Sequence, residues 1–332
     1  MTDPAAQPFS GLLAVDKPVG ETSHDVVLRI RRRLSARGAG HLGTLDPAAS
    51  GLLLVALGAA TRAIPVWQGG EKTYEGRARF GVITASQDLD GEVLERRDCS
   101  TLTLEAIQRE TQARVGDVDQ VPPMVSALKV GGERLHRLAR RGVSVERAPR
   151  RVRVQSWEWL EFSLPEAAFR VRCSGGTYVR TLVHDLGLAL GCGAALASLR
   201  RTRSEPFGLE RAVTVADLDG LPPDEVLERG GIPLDRALEV LPQVTLDETA
   251  QDEVGRGGRP QVDFAEMLLD RGPRSVVLRD ATGRALGLGE LTSAEASGRA
   301  RVCPHVVFPW AVRSGPRSSV QAAAPPAARV EP

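Results

Sequence analysis

Apolar and polar positions along this 332-residue chain repeat on two different periods. The run Gly11-Leu-Leu-Ala-Val15 is short and continuously apolar, which predicts a buried strand ending at Asp16-Lys17-Pro18. Val26, Val27, Ile30 and Leu34 then recur at helical spacing, with Ser23 suited to the N-cap and Gly38 near the stop. The run Leu52-Leu53-Leu54-Val55 predicts either a buried strand or the start of a helix. Thr73 to Val82 alternates in a strand-like way, and Ser86 to Gly91 supplies a polar turn. A helix is predicted from about Leu104 to Val115, and strands over 150–163 and 168–174 around a loop containing Pro165. Gly175-Gly176 turns the chain into a helix capped by Thr177, on which Val179, Leu182, Val183 and Leu186 form one apolar stripe.

Strands and helices that interleave without a strict alternating period predict a mixed α+β architecture. The pattern changes after about residue 238: short apolar runs from Val244 to Trp310 are separated by glycine-rich turns, which predicts a small β-rich second domain. The expected organisation is a flexible start over 1–9, a first domain over 10–238, a second over 239–312 and a disordered tail over 313–332. No repeat at solenoid periods is visible.

Composition narrows the function classes. A hydrophobic content of 42% supports a sizeable core, while no run approaches the eighteen or so apolar residues of a membrane span. Met1 to Ser10 does not read as a secretory signal, and Cys99, Cys173, Cys192 and Cys303 are scattered without a Cys-x-x-Cys pair. Reduced thiols in a cytoplasmic protein are expected, and the five histidines do not cluster as metal ligands. The net charge of +1 conceals a bias, because among 43 basic residues only Lys17, Lys72 and Lys129 are lysine. All three lie in segments of interest on other grounds.

The segment His41-Leu-Gly-Thr-Leu-Asp-Pro-Ala-Ala-Ser-Gly51 gathers a histidine, a threonine and a carboxylate between glycine and proline. Asp46 there is either a turn former, as Asp-Pro pairs often are, or an acid held on a rigid turn for a substrate. In Gly175-Gly-Thr-Tyr-Val-Arg-Thr-Leu182, Arg180 borders the apolar stripe of its helix. It either reaches water along an exposed face or needs a partner, and Asp46 is a chemically sensible one. Tyr74 either packs in the core or stacks on a nucleobase. Lys129 and the following Arg134, Arg137, Arg140, Arg141, Arg147, Arg150, Arg151 and Arg153 face only Glu133 and Glu146 in the sequence, a density that points to a polyanion.

Taken in order, these segments resemble the TruB family of tRNA pseudouridine synthases. The resemblance rests on Asp16-Lys17-Pro18 with Gly20 and Thr22-Ser23, on His41 to Gly51, and on Lys72-Thr-Tyr74. Pro122-Pro-Met-Val-Ser-Ala-Leu-Lys129, Gly176-Thr-Tyr-Val-Arg-Thr-Leu182 and Leu199-Arg-Arg-Thr202 complete it, across roughly residues 10 to 205. It implies a mixed-sheet pseudouridine synthase catalytic domain, an RNA-gripping insertion over about 120–153 and a small β-rich PUA-like RNA-binding domain at the C-terminus. It further implies isomerisation of uridine 55 in the T-arm of tRNA. Asp46 would be the catalytic carboxylate, Arg180 its ion-pair partner and Tyr74 the ring on the target base. Tyr178 and Leu199 would complete the pocket, and His41 would enter the T-loop near the space left by the flipped base. The tail after Trp310 has no counterpart role.

The reaction breaks a C–N glycosidic bond and rejoins the uracil through carbon, without redox change or loss of a group, so no cofactor is expected. Base flipping is required. Asp46 could attack the ribose, attack the uracil or remove a ribose proton; all three require it ionised beside the base. The expected partner is tRNA, with no membrane and no obligatory protein or guide RNA. An RNA-binding or RNA-folding module and a guide-dependent synthase are the alternatives, separated by activity of the purified chain on naked tRNA.

Overall fold

A computed structural model describes residues 9–126, 129, 130, 132–135, 138, 141, 143, 145–263, 274–294 and 299–312. The chain divides into two compact units, residues 1–240 and 241–332. The expected flexible start (but for Phe9) and the expected disordered tail lie outside the described residues.

The first unit opens with β1 (Gly11–Lys17), α1 (Ser23–Arg33), β2 (Ala39–His41) and β3 (Ala49–Leu57). It continues through α2 (Ile64–Gln68), β4 (Lys72–Phe80), β5 (Val82–Thr84), β6 (Val93–Arg96), α3 (Leu104–Gln112) and β7 (Gly116–Gln120). The hairpin β8 (Lys129–Val130) and β9 (Glu133–Arg134), then β10 (Arg150–Ser163), β11 (Glu166–Cys173), α4 (Val179–Ala189) and β12 (Ala194–Ser204) follow.

Eleven strands form one mixed sheet, whose main path runs from Val213–Thr214 through β1, β3, β12, β4, β11 and β10 to β7. β3 lies between β1, antiparallel to it, and β12, parallel to it. That placement resolves the ambiguity of Leu52 to Val55: the run is a strand inside the sheet, buried throughout, so it shows no alternation. β4 sits between β12 and β11 and does alternate. Tyr74, Ala78 and Phe80 are buried on one side, while Glu75, Arg77 and Arg79 are only partly buried on the other.

The two sides differ chemically. On the second side, ion pairs join the strands: Arg77 with Glu161 and Glu166 at 3.0 and 3.2 Å, Arg79 with Glu166, Arg170 with Glu75, and Arg172 with Glu71. On the first side, Phe80, Trp157, Trp159 and Phe169 pack as neighbouring rings with centroids 5.7–6.0 Å apart. A shift of register between Val154 and Ser156 on β10 lets Val154 and Trp157, three residues apart, both be buried.

Two helix starts differ from the sequence-based expectation. Thr22, not Ser23, caps α1, because Thr22 and Asp25 form a reciprocal capping box that frees Ser23 for another contact. Tyr178, not Thr177, precedes α4 and its side chain makes no cap; the Thr177 hydroxyl donates to the Ser174 carbonyl instead. Gln120 takes over there, accepting from the Tyr178 N–H at 2.8 Å and donating to its carbonyl at 3.0 Å.

The second unit contains a five-stranded sheet in the order 243–245, 274–279, 285–294, 299–307, 261–263. Val244, Leu278, Leu291 and Val302 form part of a separate core. Trp310 stacks on Phe308 and carries Arg284 over its ring at 4.8 Å.

Candidate active site

The turn joining β2 to β3 is held by backbone and side-chain bonds from several elements. Leu42 N–H donates to the Leu54 carbonyl at 2.9 Å, and Gly20 N–H donates to the Pro47 carbonyl at 2.8 Å. The Ser23 hydroxyl accepts from Leu45 N–H at 2.8 Å and donates to the Leu45 carbonyl at 3.1 Å. Arg201, from β12, donates to the Gly43 carbonyl at 3.1 Å. The fully buried Lys17 ammonium donates to the Pro18 and Glu21 carbonyls at 2.8 and 2.7 Å, which fixes the neighbouring turn that carries Gly20. Asp46 thus leaves a backbone with little freedom to move.

Asp46 opens on a cavity of about 380 Å³, lined also by Tyr74, Tyr178, Arg180 and Leu199. This volume lies in the range of small-molecule pockets and has room for a nucleobase. The site brings together the five residues that the sequence placed in one pocket, although they come from the β2–β3 turn, β4, the start of α4 and β12. His41 lies on β2 and pairs with Val55 of β3, five residues before Asp46.

Arg180 is buried and paired, which settles the alternative the sequence left open. Its side chain is only 4% exposed, and Nη2 lies 3.2 Å from Asp46 Oδ2. Nη1 lies 3.6 Å from Asp88 Oδ2, and the guanidinium also donates to the Val125 and Ser86 carbonyls. Bonds this numerous offset the cost of burying a cation. The Tyr178 ring lies 6.0 Å from the same guanidinium.

Asp46 is 44% exposed, and that surface faces the concave cavity. Burial pushes its carboxyl above the usual range, and the nearby Asp88 adds to the rise; Arg180 and Lys17 oppose it. Tyr74 and Tyr178 are both raised by burial. Lys72 is pulled down to about 8, by burial first and then by the Arg201 charge, and its ammonium donates to the Gln68 and Gly70 carbonyls at 2.7 and 2.6 Å.

Sequence reasoning missed Asp88, Lys72 and Arg201 as components of this site. Asp88 sits in the polar turn 86–91, whose composition signals only a turn. The basic segment is also less open than its sequence suggests: Arg151 and Arg153 are paired across the sheet with Asp119 and Asp117 of β7. Arg141 pairs with Glu133 at 2.8 Å. Lys129 and Arg134 are register partners on the β8–β9 hairpin, whereas Arg137 and Arg140 lie outside the described residues. Among the described residues no group of three metal-ligating side chains is present. No described helix is long and apolar enough to cross a membrane.

A carboxylate held by a buried guanidinium in a pocket lined by two tyrosines on a mixed sheet is an arrangement that suits enzymatic acid or nucleophile chemistry. Residues 31–179 match the N-terminal domain of the TruB family pseudouridylate synthases, and residues 180–239 match the tRNA pseudouridylate synthase B C-terminal domain. The chain belongs to the TruB family. A tRNA pseudouridine synthase B of Opitutus terrae is 48% identical over 221 residues, covering 67% of this chain and 92% of the relative. One of Saccharophagus degradans is 40% identical over 292 residues, covering 86% and 93%. Among solved structures, a Cbf5-Nop10-Gar1 complex matches with a TM-score of 0.67 and 28% identity over 92% of this chain and 91% of that one. An H/ACA RNP bound to a substrate RNA containing 2'-deoxyuridine matches with a TM-score of 0.66 and 26% identity, over 93% and 91%.

Proposed function

We propose that this protein converts uridine 55 in the T-arm of tRNA to pseudouridine. The observation that carries the proposal is the buried Arg180 holding Asp46 at the mouth of a cavity lined by Tyr74 and Tyr178. The names of the bacterial relatives, tRNA pseudouridine synthase B, supply the substrate class. In this reading the target base leaves its stack and enters the cavity. Asp46 acts on the nucleotide while Arg180 favours its ionised form against burial. The C1′–N1 bond breaks, the uracil turns, the C1′–C5 bond forms, and the proton on C5 leaves while N1 gains one. Tyr74 stacks on the base and stands near the departing proton; Tyr178 and Leu199 shape the walls.

His41 enters the T-loop beside the vacated space, and Lys129, Arg134, Arg137, Arg140 and Arg141 grip the RNA backbone from the 120–153 insertion. The unit beyond about residue 239 acts as a PUA-like RNA-binding domain. The enzyme works in the cytoplasm on tRNA alone, with no cofactor, guide RNA or protein partner.

Tritium release from tRNA labelled at C5 of uridine tests this. The purified wild-type chain releases tritium from naked transcript, and Asp46→Asn releases none while still binding the transcript. Turnover by Asp46→Asn would remove Asp46 from its role. A wild-type chain active only with an added RNA or protein would replace the stand-alone enzyme with a guided one.

A further inference from the structure

Arg201 is 3% exposed, on β12, and is a cross-strand neighbour of Tyr74 on β4 and of Gly51 on β3. Its guanidinium uses two donors on backbone: Nε on the Leu52 carbonyl at 2.7 Å and Nη2 on the Gly43 carbonyl at 3.1 Å. The two carbonyls belong to β3 and to the turn that carries Asp46. Its side chain and that of Tyr74 share one face of the sheet and line the same cavity. The backbones are packed just as closely: a Cβ on Gly51, whose φ is +100°, would stand 2.2 Å from the Arg201 carbonyl oxygen.

We propose that Arg201 is a positioning residue that locks the Asp46 turn, strand β3 and the Tyr74 hydroxyl into one geometry. A guanidinium suits this role, because a planar fork satisfies several acceptors in fixed directions where an ammonium offers a point charge. Placed across the strand pair from Tyr74 and lining the same cavity, the Arg201 charge also favours the ionised form of this buried phenol. The other charged or titratable groups acting on Tyr74 are Cys173 on β11 and Asp46 on the turn, both of which disfavour the phenolate. The inference rests on the reading of Tyr74 as the ring beside the target base, but its decisive test needs no substrate.

The chain contains only two tyrosines, Tyr74 and Tyr178. In a Tyr178→Phe background, phenolate absorbance therefore reports Tyr74 alone. Arg201→Gln should move that transition upward by about one pH unit, and Arg201→Lys by less. A second measurement is a double-mutant cycle on the single-turnover rate. Arg201→Gln should slow wild type roughly tenfold but slow Tyr74→Phe far less, since the shared contact is already gone. An unmoved Tyr74 transition, or equal losses in both backgrounds, would reduce Arg201 to a structural tie and overturn the proposal. Should neither Arg201 variant fold, the slowly exchanging guanidinium resonances of the intact arginine decide it. Those resonances shift on Tyr74→Phe if the contact exists and stay in place if it does not. Absence of any turnover in wild type would instead overturn the enzymatic reading, with the titration still deciding the role of Arg201.

Discussion

Asp46 is a residue whose surroundings oppose its charge and yet hold it in place. Its carboxyl is raised by burial, so the folded chain binds that proton more tightly than the unfolded chain does. The stability gained from that difference is complete below the unfolded value, about 3.9, and is lost as pH rises through the folded one. Near neutral pH the ionised carboxylate is therefore a destabilising feature. Asp46→Asn should melt at a higher temperature than wild type at pH 8, with the gap narrowing as the pH is lowered toward about 4. Thermal unfolding across that range checks it; an equal or lower melting temperature at pH 8 would contradict this balance of burial and charge around the carboxyl. Activity and stability would then pull in opposite directions at this position.

At the scale of elements, the first turn of α1 positions the turn that carries Asp46. The Ser23 hydroxyl both accepts from and donates to the Leu45 backbone, one residue before Asp46. Ser23→Ala leaves a buried N–H without its acceptor, at a cost of about 1–3 kcal/mol. The single-turnover rate should fall roughly tenfold or more with little change in tRNA affinity, because orientation and not binding is lost. A rate within twofold of wild type would show that the other ties to this turn suffice. The sequence could locate α1 by its spacing of Val26, Val27 and Ile30, because that signal is local. It could not assign Ser23 to the Leu45 backbone, since that contact spans twenty-two residues and depends on Thr22 taking the cap. The same limit explains Asp88, which reaches the site only through its ion pair with Arg180 and its bridge to Leu196 of β12. Arg201 stands in the Leu199-Arg-Arg-Thr202 motif, but its bonds to Leu52 and Gly43 are equally non-local. Asp46, Tyr74, Tyr178, Arg180 and Leu199 were legible because each sits in a motif that carries a family resemblance. Their convergence was not written in any local pattern.

At the scale of the molecule, the first unit has a core of its own. The hydrophobic cluster that includes Leu13, Leu53, Tyr74 and Leu182 ends in sequence at Val226, and the cluster of the second unit begins at Val244. A chain ending at Val240 should melt cooperatively and still form pseudouridine, with weaker binding of tRNA. Calorimetry and tritium release at saturating RNA check this, and an aggregated or inactive product would show that the first unit depends on the second.

The ion-paired side of the large sheet bears on how RNA meets the protein. Arg77, Arg79, Arg170 and Arg172 are each neutralised by a carboxylate on a nearby strand, so an approaching phosphate backbone gains little from them. On the opposite side Arg180, Arg201, Lys17 and Lys72 are buried, Arg180 against Asp46 and Asp88 and the other three on backbone carbonyls. In a chain with a net charge of only +1, the neutralised side of the sheet offers a polyanion little reason to dock there, so the pairing acts as an exclusion that leaves the pocket side to the RNA.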